Sequence, residues 1–333
     1  MSNSNSISTR LAFGQTLVKL GKEFPQMLVL DAEMSNSTFT NLFAKEFPDR
    51  FLQNFIAEQN MMSTALGLSL GGKLPVCATF AAFLTRSFDQ IRMSQYSFPK
   101  TNLKIAGSHC GISIGTDGPS QMALEDLSLF GSILKSVILY PSTGIATQKL
   151  TKQMLTNHGI TYLRLTRDET AEIYKNEDEF PIGGSKTLLE NELDEITLIG
   201  AGITIFECLK AVEIIKTKNL EKTKISQKNE KIPKIRVIDL YSVKPFDKKT
   251  ILKAARETKA IIVVEDHFSF GGIFSNLSAF LAPTPQTFNP NWQGIHSLAV
   301  TQIPRSGQKE ELLSWAKIDA QAIADKIEEI LKN

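Results

Sequence analysis

The feature that most limits what this chain can fold into is an alternation of short, continuously apolar runs with longer segments of helical spacing. In the first half the apolar runs are Met27 to Glu33 (MLVLDAE), Leu74 to Phe80 (LPVCATF), Leu103 to Gly107 (LKIAG), Ser136 to Pro141 (SVILYP) and Ile160 to Thr166 (ITYLRLT). Between them the spacing predicts helices over Arg10–Lys22, Ala81–Tyr96 and Ala146–Asn157. In a further one after Glu58, Met61, Met62, Ala65, Leu66 and Leu68 recur every three or four residues until Gly71 and Gly72 stop it. Pro119 suits the first position of a helix running to Phe130. A strand that is apolar on both faces needs cover on both, which argues for a parallel sheet between helical layers.

A polar stretch containing Pro181, Gly183 and Gly184 interrupts the pattern, which then resumes. Strands are expected at EITLIGAG, IRVIDL, AIIVVED and HSLAV. Helices are expected over Ile205–Lys216, Lys248–Thr258 and Gly272–Leu281, with a last one from Ile318. The expected fold class is therefore α/β with two domains, each a mainly parallel sheet flanked by helices. We place the first domain at 6–175, a linker at 176–190 and the second domain at 191–333. The lysine-rich segment 216–234 reads as a solvated loop. Gly200-Ala201-Gly202 lacks the third glycine of a dinucleotide fingerprint, since Ile205 stands there, so it reads as a tight strand-to-helix turn.

A net charge of +2 gives no electrostatic case for nucleic acid. Three scattered cysteines form no Cys-x-x-Cys, so neither a disulfide framework nor a zinc site is expected, and a reducing cytoplasm fits. The opening MSNSNSISTR has no apolar core after a basic region, so no signal peptide is expected there, and no run suits a membrane span. His-Glu-x-x-His and Walker-type loops are absent.

In parallel sheets ligands bind beyond the carboxyl ends of the strands. The residues just past those ends are Ser35 to Thr38, Glu58, Phe80 to Phe83, His109 to Gln121, Ser142 and Arg167. Taken alone, Glu58 is either a first-turn acid favoured by the helix dipole or a working acid. Phe80 and Phe83 are ordinary core residues unless something flat binds beside them. The loop from Gly107 to Asp126 sets His109, Asp117 and Gln121 among glycines, which permit close approach of backbone to a ligand. Arg10, Arg86 and Arg167 are anion-binding candidates by placement alone. The residues by themselves point to a two-domain α/β protein with a small-molecule site in its first half.

Five stretches add a resemblance: FIAEQNM, ATFAAFLTRSFDQIR, GSHCGISIGTDGPSQMALEDL, VILYPSTGIAT and the VEDH-x-x-x-GG segment. Together they resemble transketolase, of the animal type, over nearly the whole chain. The similarity corresponds to two of that family's three domains, the pyrimidine-binding domain and the C-terminal domain. The diphosphate-binding domain, with its Gly-Asp-Gly and following Asn, has no counterpart in the sequence. The resemblance thus implies the C-terminal subunit of a split, cytoplasmic transketolase of the pentose phosphate pathway. Thiamine diphosphate would be its cofactor, and magnesium or calcium would be bound through an N-terminal subunit. No metal ligand is expected in this chain, and a complex of two copies of each subunit is implied.

Residue by residue, Glu58 matches the acid that hydrogen-bonds the aminopyrimidine ring nitrogen and sets its tautomer. Phe80 and Phe83 match the aromatics that pack against that ring, and Arg86 stands beside them near the cofactor. His109 and Asp117 match residues contacting sugar hydroxyls, His109 with a catalytic part. Arg10, Ser37 and Arg167 match the cluster that grips the sugar phosphate. Gln121 stands at a cofactor-side position where bacterial and fungal members have histidine. Two further readings share the fold: another thiamine-diphosphate subunit (2-oxo acid dehydrogenase beta-like or deoxyxylulose-phosphate synthase-like), and a non-catalytic half that only binds a partner. The set Arg10, Ser37, His109 and Arg167 favours transketolase over the first, and the retention of Glu58 with its aromatics disfavours the second.

Overall fold

The computed structural model describes residues 6–226, 233–283 and 288–332. The first helix, Thr9–Glu23, begins where the Ser8 hydroxyl accepts a hydrogen bond from the Leu11 amide at 3.3 Å. Thr143 caps Gly144–Thr156 in the same way, and Asp247 caps Lys248–Glu257. Such caps satisfy amides that the helix cannot reach itself.

The apolar runs form two mainly parallel sheets. The first has seven strands in the order Ser242–Lys244, Val137–Leu139, Thr161–Arg164, Lys104–Ser108, Leu74–Phe80, Met27–Asp31 and Phe51–Gln53. All its neighbours run parallel except the first pair. Alternate residues feed its two faces. Val29, Val76 and Leu163 join Phe13, Leu17, Leu150 and Met154 on one side. Leu30, Cys77 and Ile105 join Met61, Ala65, Leu84 and Ile91 on the other. The second sheet runs Ile295–Val300, Ala260–Phe268, Ile196–Gly200, Ile235–Asp239 and Lys186–Leu189, the last antiparallel. The core on the Leu30 side continues into the second unit through Ile199, Ile238, Ile261, Val263 and Leu277.

Several elements depart from the sequence-based expectation. The segment 81–97 is a 3₁₀ stretch, Ala81–Ser87, followed by the α-helix Phe88–Ser97. The helix expected to stop at Lys216 continues as Thr204–Ser226. Two of its lysines are paired there: Lys216 with Glu213 at 2.7 Å, and Lys218 with Asp325 and Glu328 of the last helix, Ala320–Lys332. Positions 227–232 of the expected lysine-rich loop lie outside the described residues. The helix Lys309–Trp315 carries a Gln308–Glu311 capping box and was not expected. Nor was the strand Ser242–Lys244, which crosses from the second unit to edge the first sheet. Lys186–Leu189 is a strand inside the segment expected as a connector.

The helix expected from Pro119 to Phe130 does not form. Only Asp126–Ser132 is α-helical, and the preceding residues make a 3₁₀ turn over Ile112–Asp117, broken at Gly115. The reason is a competing partner for the backbone. The Ala123 carbonyl accepts from the Gly111 amide at 3.0 Å and from Arg164 Nη2 at 3.1 Å. It is therefore unavailable to a helix.

Arg164 is fully buried where the two units meet. Its Nε donates to Asp126 Oδ2 and its Nη1 to Asp266 Oδ1, each at 2.8 Å. Tyr162 adds a second bond to the same Asp126 oxygen at 2.7 Å, while Asp126 Oδ1 is buried without a hydrogen-bond partner among the described residues, and Tyr140 donates to the other oxygen of Asp266 at 2.9 Å. Removing one member of a buried ion cluster leaves uncompensated charge. Arg164→Met is accordingly expected to cost about 3–5 kcal/mol in urea unfolding, whereas a loss below about 1 kcal/mol would place this cluster with weak surface pairs.

Candidate active site

The strands Met27–Asp31, Leu74–Phe80, Lys104–Ser108 and Thr161–Arg164 all point their carboxyl ends toward one edge of the first sheet. Each delivers a candidate residue there, as side chains just past parallel strand ends are placed to meet a ligand.

Glu58 opens the helix Glu58–Leu70 and is 3% exposed. Arg86 Nη1 donates to its Oε1 at 2.8 Å. The Arg86 guanidinium also lies over the Phe83 ring, 4.9 Å from its centroid. Phe83 stacks on Phe80 at 5.4 Å, and Phe80 stacks on the His109 ring at 3.8 Å. An unbroken line of contacts thus leads from Glu58 to His109.

His109 is buried at a positive φ of 60°. Its Nδ1 is 2.7 Å from the Ser108 hydroxyl. Burial, reinforced by the positive charges of Arg10 and Arg167, pushes its pKa down from 6.5 to about 3. The ring is therefore neutral at physiological pH.

The two guanidiniums stand together beyond His109. Arg10 Nε donates to the Arg167 carbonyl at 3.2 Å, and Arg10 Nη1 to the Ser37 carbonyl at 2.8 Å. Burial and the charge of Arg167 lower the pKa of Arg10. Arg167 Nη1 reaches Asp117 Oδ1 and the Ile114 carbonyl, each at 3.0 Å. Asp117 pairs with Arg167 and Asp168 acts on Arg10, so two adjacent cations with partial compensation form an arrangement suited to an anion. Gln121 sits half-buried on the same loop. Among the described residues no group of three or more His, Cys, Asp or Glu side chains could hold a metal ion. No described helix is long and apolar enough to cross a membrane.

Sequence reasoning overlooked Asp31. Fully buried at its strand end, it accepts hydrogen bonds from the Met34 amide and from the Thr38 and Thr40 hydroxyls. These bonds fold the turn that carries Ser37. Burial raises its pKa from 3.8 to about 6 against the pull of those donors. An acid at a strand end followed by Ser-Asn-Ser-Thr was the available signal.

The fold and this strand-end cluster define a two-domain α/β protein that gathers stacked aromatics and paired cations at one edge of its first sheet. The family model described as "Transketolase, pyrimidine binding domain" matches residues 5–172, and that of "Transketolase, C-terminal domain" matches residues 185–323. The chain belongs to the transketolase family. It is 45% identical to transketolase of Homo sapiens over 325 residues, covering 97% of this chain and 49% of that protein. It is 44% identical to transketolase-like protein 1 of Bos taurus, covering 98% of this chain and 52% of the relative. The chain thus spans about half the length of the curated relatives it matches. Among solved structures, a split-gene transketolase described as an inactive beta4 tetramer aligns at 32% identity with a TM-score of 0.82. That alignment covers 98% of this chain and 99% of the other. Transketolase from Campylobacter jejuni shares the fold at a TM-score of 0.77 and 17% identity.

His109 and Asp31 act oppositely on stability. His109 binds its proton less readily when folded, so its contribution is present above pH 6.5 and is lost as pH falls toward about 3. Asp31 binds its proton more readily when folded, so it contributes stability below pH 3.8 that is lost as pH rises through about 6. His109→Asn is expected to lose less stability than the parent chain between pH 7 and pH 4.5. Urea unfolding across that range checks it; parallel curves for the two proteins would contradict a buried neutral imidazole.

Proposed function

We propose that this chain is the C-terminal subunit of a two-chain transketolase, which transfers a two-carbon ketol group between ketose and aldose phosphates with thiamine diphosphate. A second polypeptide carries the diphosphate-binding domain and its magnesium or calcium ion, and two copies of each chain assemble. The observation that carries this reading is the continuous line of contacts from Glu58 through Phe83, Phe80 and His109, with Arg10 and Arg167 beyond. One end suits an aminopyrimidine and the other a sugar phosphate. Similarity to a split-gene transketolase chain over 99% of that chain supports the two-chain arrangement.

The residues fit the cofactor's ring. Arg86 occupies Glu58 Oε1, while Oε2 accepts no hydrogen bond from a described residue. The stacked Phe80–Phe83 pair offers aromatic surface beside it. Thiamine diphosphate, when bound, supplies the carbanion chemistry of ketol transfer. Glu58 shares a proton with the ring nitrogen of the aminopyrimidine, and Arg86 fixes the carboxylate's orientation through Oε1. Phe80 and Phe83 pack against the ring and exclude water, with Gln121 as a further cofactor contact.

His109 works as a neutral imidazole. Ser108 engages its Nδ1, which leaves Nε2 to meet a sugar hydroxyl and exchange a proton with it. Asp117 contacts the sugar hydroxyls from beside Arg167. Arg10, Arg167 and Ser37 hold the phosphate, the guanidiniums by charge-assisted hydrogen bonds. An anion there also relieves the repulsion between Arg10 and Arg167.

Mixed with a chain carrying Gly-Asp-Gly and its following Asn, the protein is expected to move ketol units from xylulose 5-phosphate to ribose 5-phosphate. Alone it should not; full activity without a partner would sink the two-chain reading. Glu58→Gln should lower kcat of the complex by about a hundredfold or more with the melting temperature nearly intact. A large loss of stability instead would mark Glu58 as a helix-start residue only. Arg167→Ala should raise KM for sugar phosphates roughly ten- to a hundredfold and leave the dissociation constant of thiamine diphosphate unchanged. Equal effects on both would argue against a phosphate role.

A further inference from the structure

The sequence Glu265-Asp266-His267 and the segment Pro304-Arg305-Ser306-Gly307 belong to the second unit and have no part in the site described above. Both touch the loop from His109 to Leu124, which belongs to the first. That loop departs from helical and strand geometry at three glycines with positive φ: Gly111 at 73°, Gly115 at 73° and Gly118 at 85°. Each lies where the second unit comes close. A side chain at Gly111 would overlap the Asp266 carboxylate. A Cβ at Gly115 would stand 3.0 Å from the Gly307 carbonyl, and one at Gly118 would stand 2.7 Å from the Ser306 hydroxyl.

The end of the loop is bonded to the same unit. The Phe268 amide donates to the Leu124 carbonyl at 3.1 Å. Arg164, itself held by Asp266, donates to the Ala123 carbonyl, which also receives the Gly111 amide. Lys309 pairs with Asp168 at 3.1 Å and so steadies the residue next to Arg167. The loop's start, middle and end are therefore all shaped by the second unit.

We propose that the C-terminal unit is the mould of the substrate loop, with Asp266 as a positioning residue that sets where His109 and Asp117 stand. This rests on the ketol-transfer reading for its kinetic consequence but not for its structural one. Asp266 acts twice: one oxygen holds Arg164 and through it the Ala123 carbonyl, while the carboxylate itself fills the space that only glycine at 111 leaves open. The other oxygen is fixed by the Tyr140 hydroxyl. A buried carboxylate at the same boundary provides the comparison. Asp239 accepts hydrogen bonds from Ser142 and Tyr174 of the first unit, each at 2.6 Å, and does not touch the loop.

The test compares Asp266→Asn, Tyr140→Phe and Asp239→Asn in two measurements. Hydrogen exchange on the full chain reads the loop directly. Asp266→Asn is expected to speed exchange across 109–124 selectively, and Tyr140→Phe to do so to a smaller degree, while Asp239→Asn leaves this segment unchanged. In the complex with the partner chain, Asp266→Asn should raise KM for both sugar phosphates about ten- to a hundredfold, with the dissociation constant of thiamine diphosphate held within about twofold. Tyr140→Phe, which removes one hydroxyl and keeps the ring, should raise KM a few-fold even if Asp266→Asn fails to fold. Loop exchange unaltered in Tyr140→Phe and Asp266→Asn, or equal loss of substrate affinity in Asp239→Asn, would overturn the proposal. Absence of ketol transfer by the unsubstituted complex would overturn the functional reading instead, and the exchange measurement would still decide the moulding role.

Discussion

One guanidinium holds the molecule's two halves in register. Arg164 ends a strand of the first sheet, yet it bonds a carboxylate on the helix Asp126–Ser132 and another on a strand of the second sheet. Burying such a charge is costly unless its nitrogens find acceptors, and here two carboxylates and one carbonyl take one bond from each of the three. The geometry is consequently all or nothing: Asp126, Asp266, Tyr140 and Tyr162 must arrive together. The Glu58 helix and the Phe80 strand end lie in the apolar core that runs on into the second unit, so the site inherits this register.

The electrostatic character of the strand-end cluster follows from the same burial. Arg10 and Arg167 are only half-buried, yet they stand close enough to repel one another, and the carboxylates of Asp168 and Asp117 offset part of that repulsion. Burial first, and the charges of the two arginines second, hold His109 neutral. A neutral imidazole beside paired cations can accept a proton where a charged one could not. At the other end of the line, Arg86 and Glu58 balance one another, and the aromatic pair separates the two charge systems.

Most of the architecture was legible in the sequence because apolar runs and helical spacing report burial directly, and burial is what organises the two sheets. Legibility failed where a distant partner overrode a local preference. Pro119 is a sound helix start, but Arg164 and Gly111 claim the Ala123 carbonyl. The lysines after Lys216 look solvated in isolation, yet acids on the last helix receive Lys218. Ser242–Lys244 is too short to announce itself as a strand and is defined by the edge it meets. For the site, the residue types near Glu58 and His109 came from motif resemblance, and their mutual contacts came only from the fold. Asp31 escaped notice because its work is done through backbone and hydroxyl partners rather than toward a ligand.

The short strand that crosses between the units bears on how such a chain can be cut and recombined. Ser242 to Lys244 pairs with Ile138 and Leu139, so the outermost strand of the first sheet is encoded more than sixty residues after the connector begins. Severing the chain between the two family domains would strip that strand away and leave a bare sheet edge, a surface prone to pairing with whatever strand it meets. The two units are separate in sequence but share one hydrogen-bonded sheet, so a cut between them divides a sheet as well as a chain.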